Sequence, residues 1–481
     1  MRGWRADEAR SPEVHLPEED AGPPAERKHP MTNRVVTIVS LALLSAAPAL
    51  CQRPDSAADH GTPTPPGTAA DSTQQPQQAP QQQGGRNAAR GGPLNDRDVF
   101  MNAARTAWTY IDGQYNAQTG LVNSVINYRY ATVWDIGSGV LALYSANQLG
   151  LLPDAEYDTR IRRALQTLTE TQLYDNGAFN KNYHTADGHI AGRNGQEEET
   201  ANGYGWSAID LGRLLIALKV IATNQPQYAS QIQAIVGRIA FDRVVRGGYL
   251  QGEDLGPKSH RPRAYQEGRL GYEQYAALGY AAWGHAPDRA LRLSNTRPVT
   301  ILGIPLLADT RGGDLLTSEP FVMYGLEVGW SPEIRDLAWR VLAAQEARYR
   351  QTGSVTIVNE DALNGPPYFL YYSVYGDGKE FPVAPPEGAP PGPTPRTVST
   401  KGAYGWHALL PSAYTWLAVQ RVEGARTSHG WGAGVFEDSG RISGGENVNT
   451  AAVILEATLY TRRGGRPLIE PSAATPAPLR P

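Results

Sequence analysis

Between residues 97 and 463 the chain alternates two hydrophobic patterns. In 97–112, 154–172, 227–245 and 332–351, apolar residues recur every third or fourth position while the other face is charged, as with Arg160, Arg162, Arg163 and Glu170. That period predicts amphipathic helices lying on a core. Other stretches are apolar or small around most of their circumference. They begin near Trp134 (VWDIGSGVLALYSANQLG), Trp206 (GWSAIDLGRLLIALKVIA), Tyr272, Pro320 (PFVMYGLEVGW), Trp406 (GWHALLPSAYTWLAV) and Asn449 (NTAAVILEATLY). A helix with no polar face is buried on all sides. Such helices, each with an amphipathic partner, predict an all-α fold: an (α/α)6 toroid, an inner ring wrapped by an outer one. An internal echo, GYGWSAI at 203–209 and AYGWHAL at 403–409, fits repeated helical hairpins. The alternation breaks in two places. VTILGIPLL (299–307) reads as a strand or extended chain, and 353–400 holds the β-like SVTIVNEDALNGPPYFLYYSVYGDG before a Pro-rich loop. Small β-like insertions are therefore expected, with at least one outer helix missing or short.

Outside the periodic region the pattern changes. Residues 1–30 are charged and Pro-rich and read as an upstream extension. Met31 then opens MTNRVVTIVSLALLSAAPALCQ: Arg34, an apolar run, and small residues with Ala47 and Ala49 as an A-x-A cleavage site. Residues 31–51 thus have the form of a secretory or lipoprotein signal, too short for a confident membrane span. The expectation is an exported protein, periplasmic or extracellular, that meets a membrane only through a lipid on Cys51. Residues 52–94, rich in Pro, Gln and Gly, cannot bury enough apolar surface to fold and read as a linker. The folded domain is placed at 95–465, with a flexible tail at 466–481.

Composition narrows the partners. Lys plus Arg number 44 against 48 Asp plus Glu, a net charge of −4, with no basic block, so nucleic acid is not expected. One cysteine excludes an internal disulfide, leaving stability to the core. Tyr (24) and Trp (10) outweigh Phe (7), a balance that suits a cleft for a ligand with apolar faces and polar edges, such as a sugar. No HExxH, paired cysteines or Asp/Asn-rich calcium loop is present, and no phosphate-loop or nucleophile-elbow motif, so neither metal nor cofactor is expected.

In a helical toroid the starts of the inner helices converge on one rim. Asp135, Glu273, Glu319 and, from a loop, Asp361 are the candidate catalytic carboxylates. Glycoside hydrolysis needs such a pair, one acid for the leaving oxygen and one carboxylate to attack or to activate water. Trp134, Trp206, Tyr272, Glu327, Tyr404, Trp406, His407, Asn447 and Asn449 are the candidate polysaccharide or oligosaccharide contacts. Several have a structural alternative: Glu273 as a first-turn carboxylate favoured by the helix dipole, Asp135 and Glu319 as helix caps, Glu327 as partner of a buried Arg, His407 as a satisfied core histidine, the aromatics as core. Tyr183, His184, Tyr404, His407 and Asn447 would serve a polysaccharide lyase on the same toroid. A non-catalytic glycan-binding or assembly protein is a further alternative.

WDIGS (134–138), GWSAIDLGRL (205–214), EGRLGYEQYAALGYAAWG (267–284), TSEPF (317–321), LEVGW (326–330), STKGAYGWHAL (399–409) and NTAAVILEA (449–457) together resemble the bacterial family called domain of unknown function 3131, over about residues 97–462. More distantly the chain is similar to glucoamylase-like (α/α)6 proteins, β-1,2-glucanases among them. In those a Gly-Tyr-Asn-Glu stretch opening a helix carries the general acid. Here GYEQ holds its Glu one position earlier, and the resemblance implies Glu273 as the acid of an envelope- or extracellular-glycan hydrolase.

Overall fold

The computed structural model describes residues 96–193, 202–256, 261–311, 314–386 and 388–470. The expectations for 1–30, 31–51 and 52–94, including lipidation of Cys51, lie outside the described residues. The described part holds helices α1 (Asp96–Gln114), α2 (Val133–Gln148), α3 (Asp154–Glu170), α4 (Ala208–Asn224), α5 (Ala229–Val236), α6 (Phe241–Val244), α7 (Tyr272–Ala282), α8 (Glu319–Met323), α9 (Pro332–Thr352), α10 (Thr400–Leu409), α11 (Ala413–Val422) and α12 (Val448–Arg462).

The all-round apolar helices are the inner ones. α2 packs on α4, α4 on α7, α7 on α8, α8 on α10, α10 on α12, and α12 on α2, so the order of neighbours returns to its start. The amphipathic helices lie outside: α1 on α12, α3 on α2, α5 on α4, α9 on α8 and α11 on α10. A uniform helical double ring is not what is observed. Between α7 and α8, where an outer helix would fall, the chain forms the hairpin Thr296–Ile301 and Ile304–Asp309, turning at Leu302 and Gly303 and packing on α9. VTILGIPLL is rich in β-branched residues and carries Gly303 and Pro305, which favours strands and a turn over a helix. Residues 466–470, expected to fray, are instead docked: Leu468 is buried, and its N–H donates to Leu326 O at 3.0 Å.

Short antiparallel sheets supply the rest. Strands lead directly into inner helices: Tyr130–Thr132 into α2, Gly205–Trp206 into α4, and Thr397–Ser399 into α10. At each junction a hydroxyl cap ends the strand and starts the helix: Thr132, Ser207 and Ser399 accept from the backbone N–H of Asp135, Asp210 and Gly402, and Asn447 does the same for α12 through Thr450. Inner helices thus begin at the end where the strands gather. α4 and α7 approach so closely that a Cβ on Gly212 would stand 2.5 Å from Ala276 Cβ.

A charge network fills the centre. Arg213 of α4, fully buried, donates to Glu327 Oε1 (2.6 Å), Glu456 Oε1 (3.3 Å), Tyr275 Oη (2.9 Å) and Ser138 Oγ (2.9 Å), bracing α2, α7 and α12. Glu327 sits in a π turn, Tyr324–Val328, that follows α8.

Candidate active site

The first turns of the inner helices bring their polar side chains to one mouth, where they form four groups. On α2, Asp135 Oδ2 accepts the Thr132 N–H (2.9 Å), closing the capping box, and Oδ1 accepts from Asn449 Nδ2 of α12 (2.8 Å). Asn449 Oδ1 in turn accepts from Ser138 Oγ (2.6 Å), which Arg213 holds from below. Asp135 is a buried brace between two helices.

The second group surrounds Lys401, in the first turn of α10. Its ammonium donates to Glu319 Oε1 and to Glu360 O, both at 2.8 Å, and faces Asp361 Oδ1 at 3.6 Å. Tyr272 Oη donates to the other Glu319 oxygen at 3.0 Å. Glu360 pairs with Arg269, whose guanidinium lies 4.7 Å over the Tyr272 ring and 5.7 Å over Tyr371.

The third group holds Glu273, in the first turn of α7. Oε1 accepts from Gln266 Nε2 (2.9 Å), and Oε2 pairs with Arg311 (2.7 Å), which also binds Asp309 at 2.7 Å. The hairpin that replaces an outer helix therefore delivers both Asp309 and Arg311 to the start of α7. Burial pushes the Glu273 carboxyl up, and Arg311 opposes it.

The fourth group is built on Asp210, in the first turn of α4. Directly beneath it, Glu267 accepts from Ser207 Oγ (2.9 Å) and from the Ala208 N–H. Asp210 is half-buried and carries no ion pair among the described residues. Burial first, then the charges of Glu267 and Asp135, push its carboxyl up to about 7. At neutral pH it is divided between acid and carboxylate, the state that suits proton transfer.

Half-buried aromatics edge the mouth. Trp134 stands 5.8 Å from Tyr272 and over Arg213 at 5.1 Å. Tyr128, Tyr130 and His184 form a run of rings 4.8 and 4.6 Å apart where the chain enters α2.

The sequence-predicted residues divide accordingly. The structure brings Asp135, Glu273, Glu319, Asp361, Trp134, Tyr272, Asn447 and Asn449 to the mouth. It places Trp206, Glu327, Tyr404, Trp406 and His407 elsewhere. Helix α10 begins at Thr400, not near Trp406, so Tyr404, Trp406 and His407 lie one to two turns further in. Tyr404 and Trp406 are fully buried; the Tyr404 hydroxyl donates to Glu423 (2.9 Å). His407 stacks on Phe100 at 5.9 Å, meets Thr415 Oγ1 at 3.0 Å, and is kept neutral by burial, which lowers its affinity for a proton. Trp206 is core, its indole N–H on Gln251 O (2.9 Å). Glu327 pairs with Arg213. Tyr183 is buried, its hydroxyl on Gln172 O (2.8 Å).

Sequence reasoning missed Asp210, Glu267, Arg269, Arg311 and Lys401. Two signals were available. Ser207-x-x-Asp210 repeats the spacing of Thr132-x-x-Asp135, a cap followed by an acid facing the same rim. Lys401 in α10 and Arg213 in α4 are cations set among apolar and small residues, which burial allows only with carboxylate partners.

Among the described residues no group of His, Cys, Asp and Glu is arranged to hold a metal ion. Solved structures share this architecture. An endo-beta-1,2-glucanase from Chitinophaga pinensis, in complex with sophorotriose and glucose, superposes with a TM-score of 0.55 at 11% identity over 78% of this chain and 94% of that one. A candidate glucoamylase from Bacteroides fragilis gives 0.57 at 12% over 80% and 94%. An endo-beta-1,2-glucanase from Talaromyces funiculosus, with beta-1,2-glucan, gives 0.51 at 11% over 76% and 84%. At such identity the likeness is one of fold. No curated protein matches the chain. The family model described as protein of unknown function (DUF3131) matches residues 102–464, three-quarters of the sequence, and the chain belongs to that family.

Proposed function

We propose that this protein is an exported glycoside hydrolase acting on a bacterial envelope or extracellular polysaccharide, built on an (α/α)6 toroid in which a hairpin takes one outer place. The observation that carries the reading is Asp210, a half-buried carboxyl held near pH 7 at an aromatic-edged mouth where the neighbouring acids are engaged in ion pairs or caps. A glycosidic oxygen needs a proton as it leaves, and a carboxyl raised to neutral pH supplies one. Asp210 is the donor in this reading. Glu273, which the sequence resemblance implied, is 1% exposed and clamped by Arg311 and Gln266, and in this reading it braces the start of α7.

A lyase is disfavoured by the charges. It would need cations free to neutralise a uronate, whereas Lys401, Arg269, Arg311 and Lys181 each face a carboxylate within ion-pair distance. The structural neighbours' beta-1,2-glucan ligands make that linkage the first to try. The test is release of new reducing ends by purified protein from a polysaccharide panel, beside Asp210→Asn and Glu273→Gln. The expected result is product from wild type, a fall of about 10²–10⁴-fold for Asp210→Asn, and a smaller loss for Glu273→Gln. The reverse ranking would move the donor to Glu273, and binding without product would leave a glycan-binding protein.

A further inference from the structure

A proton donor alone does not hydrolyse a glycoside; water must also be held and deprotonated. Beneath the mouth Ser124, Val125, Asp135, Asp361, Lys401 and Asn449 help line a recess of about 20 Å³. That is room for one water and for no sugar ring. Asp361 is 3% exposed, and its Oδ2 has no hydrogen-bond partner among the described residues. A buried carboxylate oxygen left unpaired is costly, so the Asp361 carboxyl favours taking up a proton or a water beside it. Lys401 directs two N–H groups to Glu319 and to the Glu360 carbonyl. Its 3.6 Å separation from Asp361 Oδ1 is an ion pair too long for a direct hydrogen bond, so it leaves that oxygen free to accept from a water in the recess.

Asp135 links the recess to the donor: it helps line the recess, and its charge reaches Asp210. Asp361 lies on the strand Glu360–Ala362, paired with Phe369–Tyr372. Burial pushes the Asp361 carboxyl up to about 6, with the Lys401 charge and the Ser399 hydroxyl opposing. It is then ionised at neutral pH and still basic enough to accept a proton.

We propose that Asp361 is the base that deprotonates the hydrolytic water, held in this recess, and that Lys401 is the positioning residue that keeps Asp361 ionised. This rests on the hydrolase reading above. As the water oxygen bonds to the anomeric carbon, the glycosidic C–O bond breaks. The water proton passes to Asp361 while the Asp210 proton passes to the leaving oxygen, so one carboxylate is consumed and one formed. Attack comes from the face opposite the leaving group and inverts the anomeric centre.

The experiment uses any polysaccharide that the wild type cleaves. Asp361→Ala and Asp361→Asn should each lose about 10²–10⁴-fold in kcat with KM little changed and circular dichroism like the wild type. Molar azide, filling the emptied recess, should restore turnover of Asp361→Ala and yield a glycosyl azide of inverted configuration. The charged groups facing Asp361 are Lys401 and Glu319 from the helices, Glu360 beside it and Asp135 across the recess. Lys401→Met should therefore move the acid limb of the kcat/KM profile to higher pH. Undiminished cleavage by a folded Asp361→Ala, or a loss that azide does not rescue, overturns the base assignment alone. An unmoved acid limb in Lys401→Met overturns the role of Lys401. No product from the wild type on any polysaccharide overturns the hydrolase reading, and this proposal with it.

Discussion

Replacing Arg213 with Met keeps the apolar stem and removes the cation at the centre of the inner helices. Glu327 keeps its bond from Tyr275 Oη (2.6 Å) and loses its ion pair in a place with no access to solvent. Breaking a buried pair by removing one partner costs about 3–5 kcal/mol. At about 2.1 cal/mol/K of unfolding entropy per residue, a folded unit of about 370 residues carries roughly 0.8 kcal/mol/K, so Tm should fall by roughly 4–6 °C. Glu456 should behave differently. Burial, then the charge of Glu327, push its carboxyl well above the usual range, so in the fold it is already a neutral acid. Near pH 4, where folded and unfolded chains both hold the proton, Glu456→Gln removes no charge and should change stability by less than about 1 kcal/mol. The sign of its pH dependence follows. A carboxyl raised in the folded state favours folding only below its unfolded pKa, and that advantage is lost as pH rises. Glu456→Gln should therefore gain on the wild type from pH 4 to pH 8. Thermal unfolding followed by circular dichroism across that range measures both, and Arg213→Met/Glu327→Gln should recover part of the loss. Equal damage from Glu456→Gln and Arg213→Met, or a harmless Arg213→Met, would refute this charge assignment.

Gly212→Ala places a methyl 2.5 Å from Ala276 Cβ and must part α4 from α7; the expected cost is about 1–3 kcal/mol by thermal unfolding. If Asp210 gives its proton and Asp361 accepts one, kcat/KM falls above about 7 as the first ionises and below about 6 as the second is protonated, and a pH–rate profile reads both limbs. Tyr130→Ala removes one ring of the run at the mouth and should weaken glycan binding about three- to tenfold by calorimetry, at nearly unchanged Tm.

The inner helices were legible because burial on all sides leaves a sequence no polar face, and α2, α4, α7 and α12 begin within two residues of where the pattern puts them. α10 was misplaced because the aromatic pair at Trp406 drew the boundary, while the Ser399 cap that starts the helix is a single hydroxyl in a β-like stretch. The carboxylates at helix starts were legible as a set, since caps and acids recur at those junctions. Which of them is free could not be read. Arg311 reaches Glu273 from a hairpin 38 residues on, and Lys401 reaches Glu319 across 82 residues; such pairings follow from three-dimensional packing, with no local period to announce them. The cap spacing marks Asp210 as facing the same rim as Asp135, but that spacing has a structural meaning on any helix and does not single out an acid without an ion pair.

The most direct test of the central claim is mass spectrometry of the products formed in water enriched in oxygen-18. Hydrolysis at this mouth predicts one heavy oxygen at each new reducing end, at pH 6 to 7, with formation depending on Asp210. Products lighter by one water, carrying a double bond and no label, would contradict it and establish elimination in place of hydrolysis.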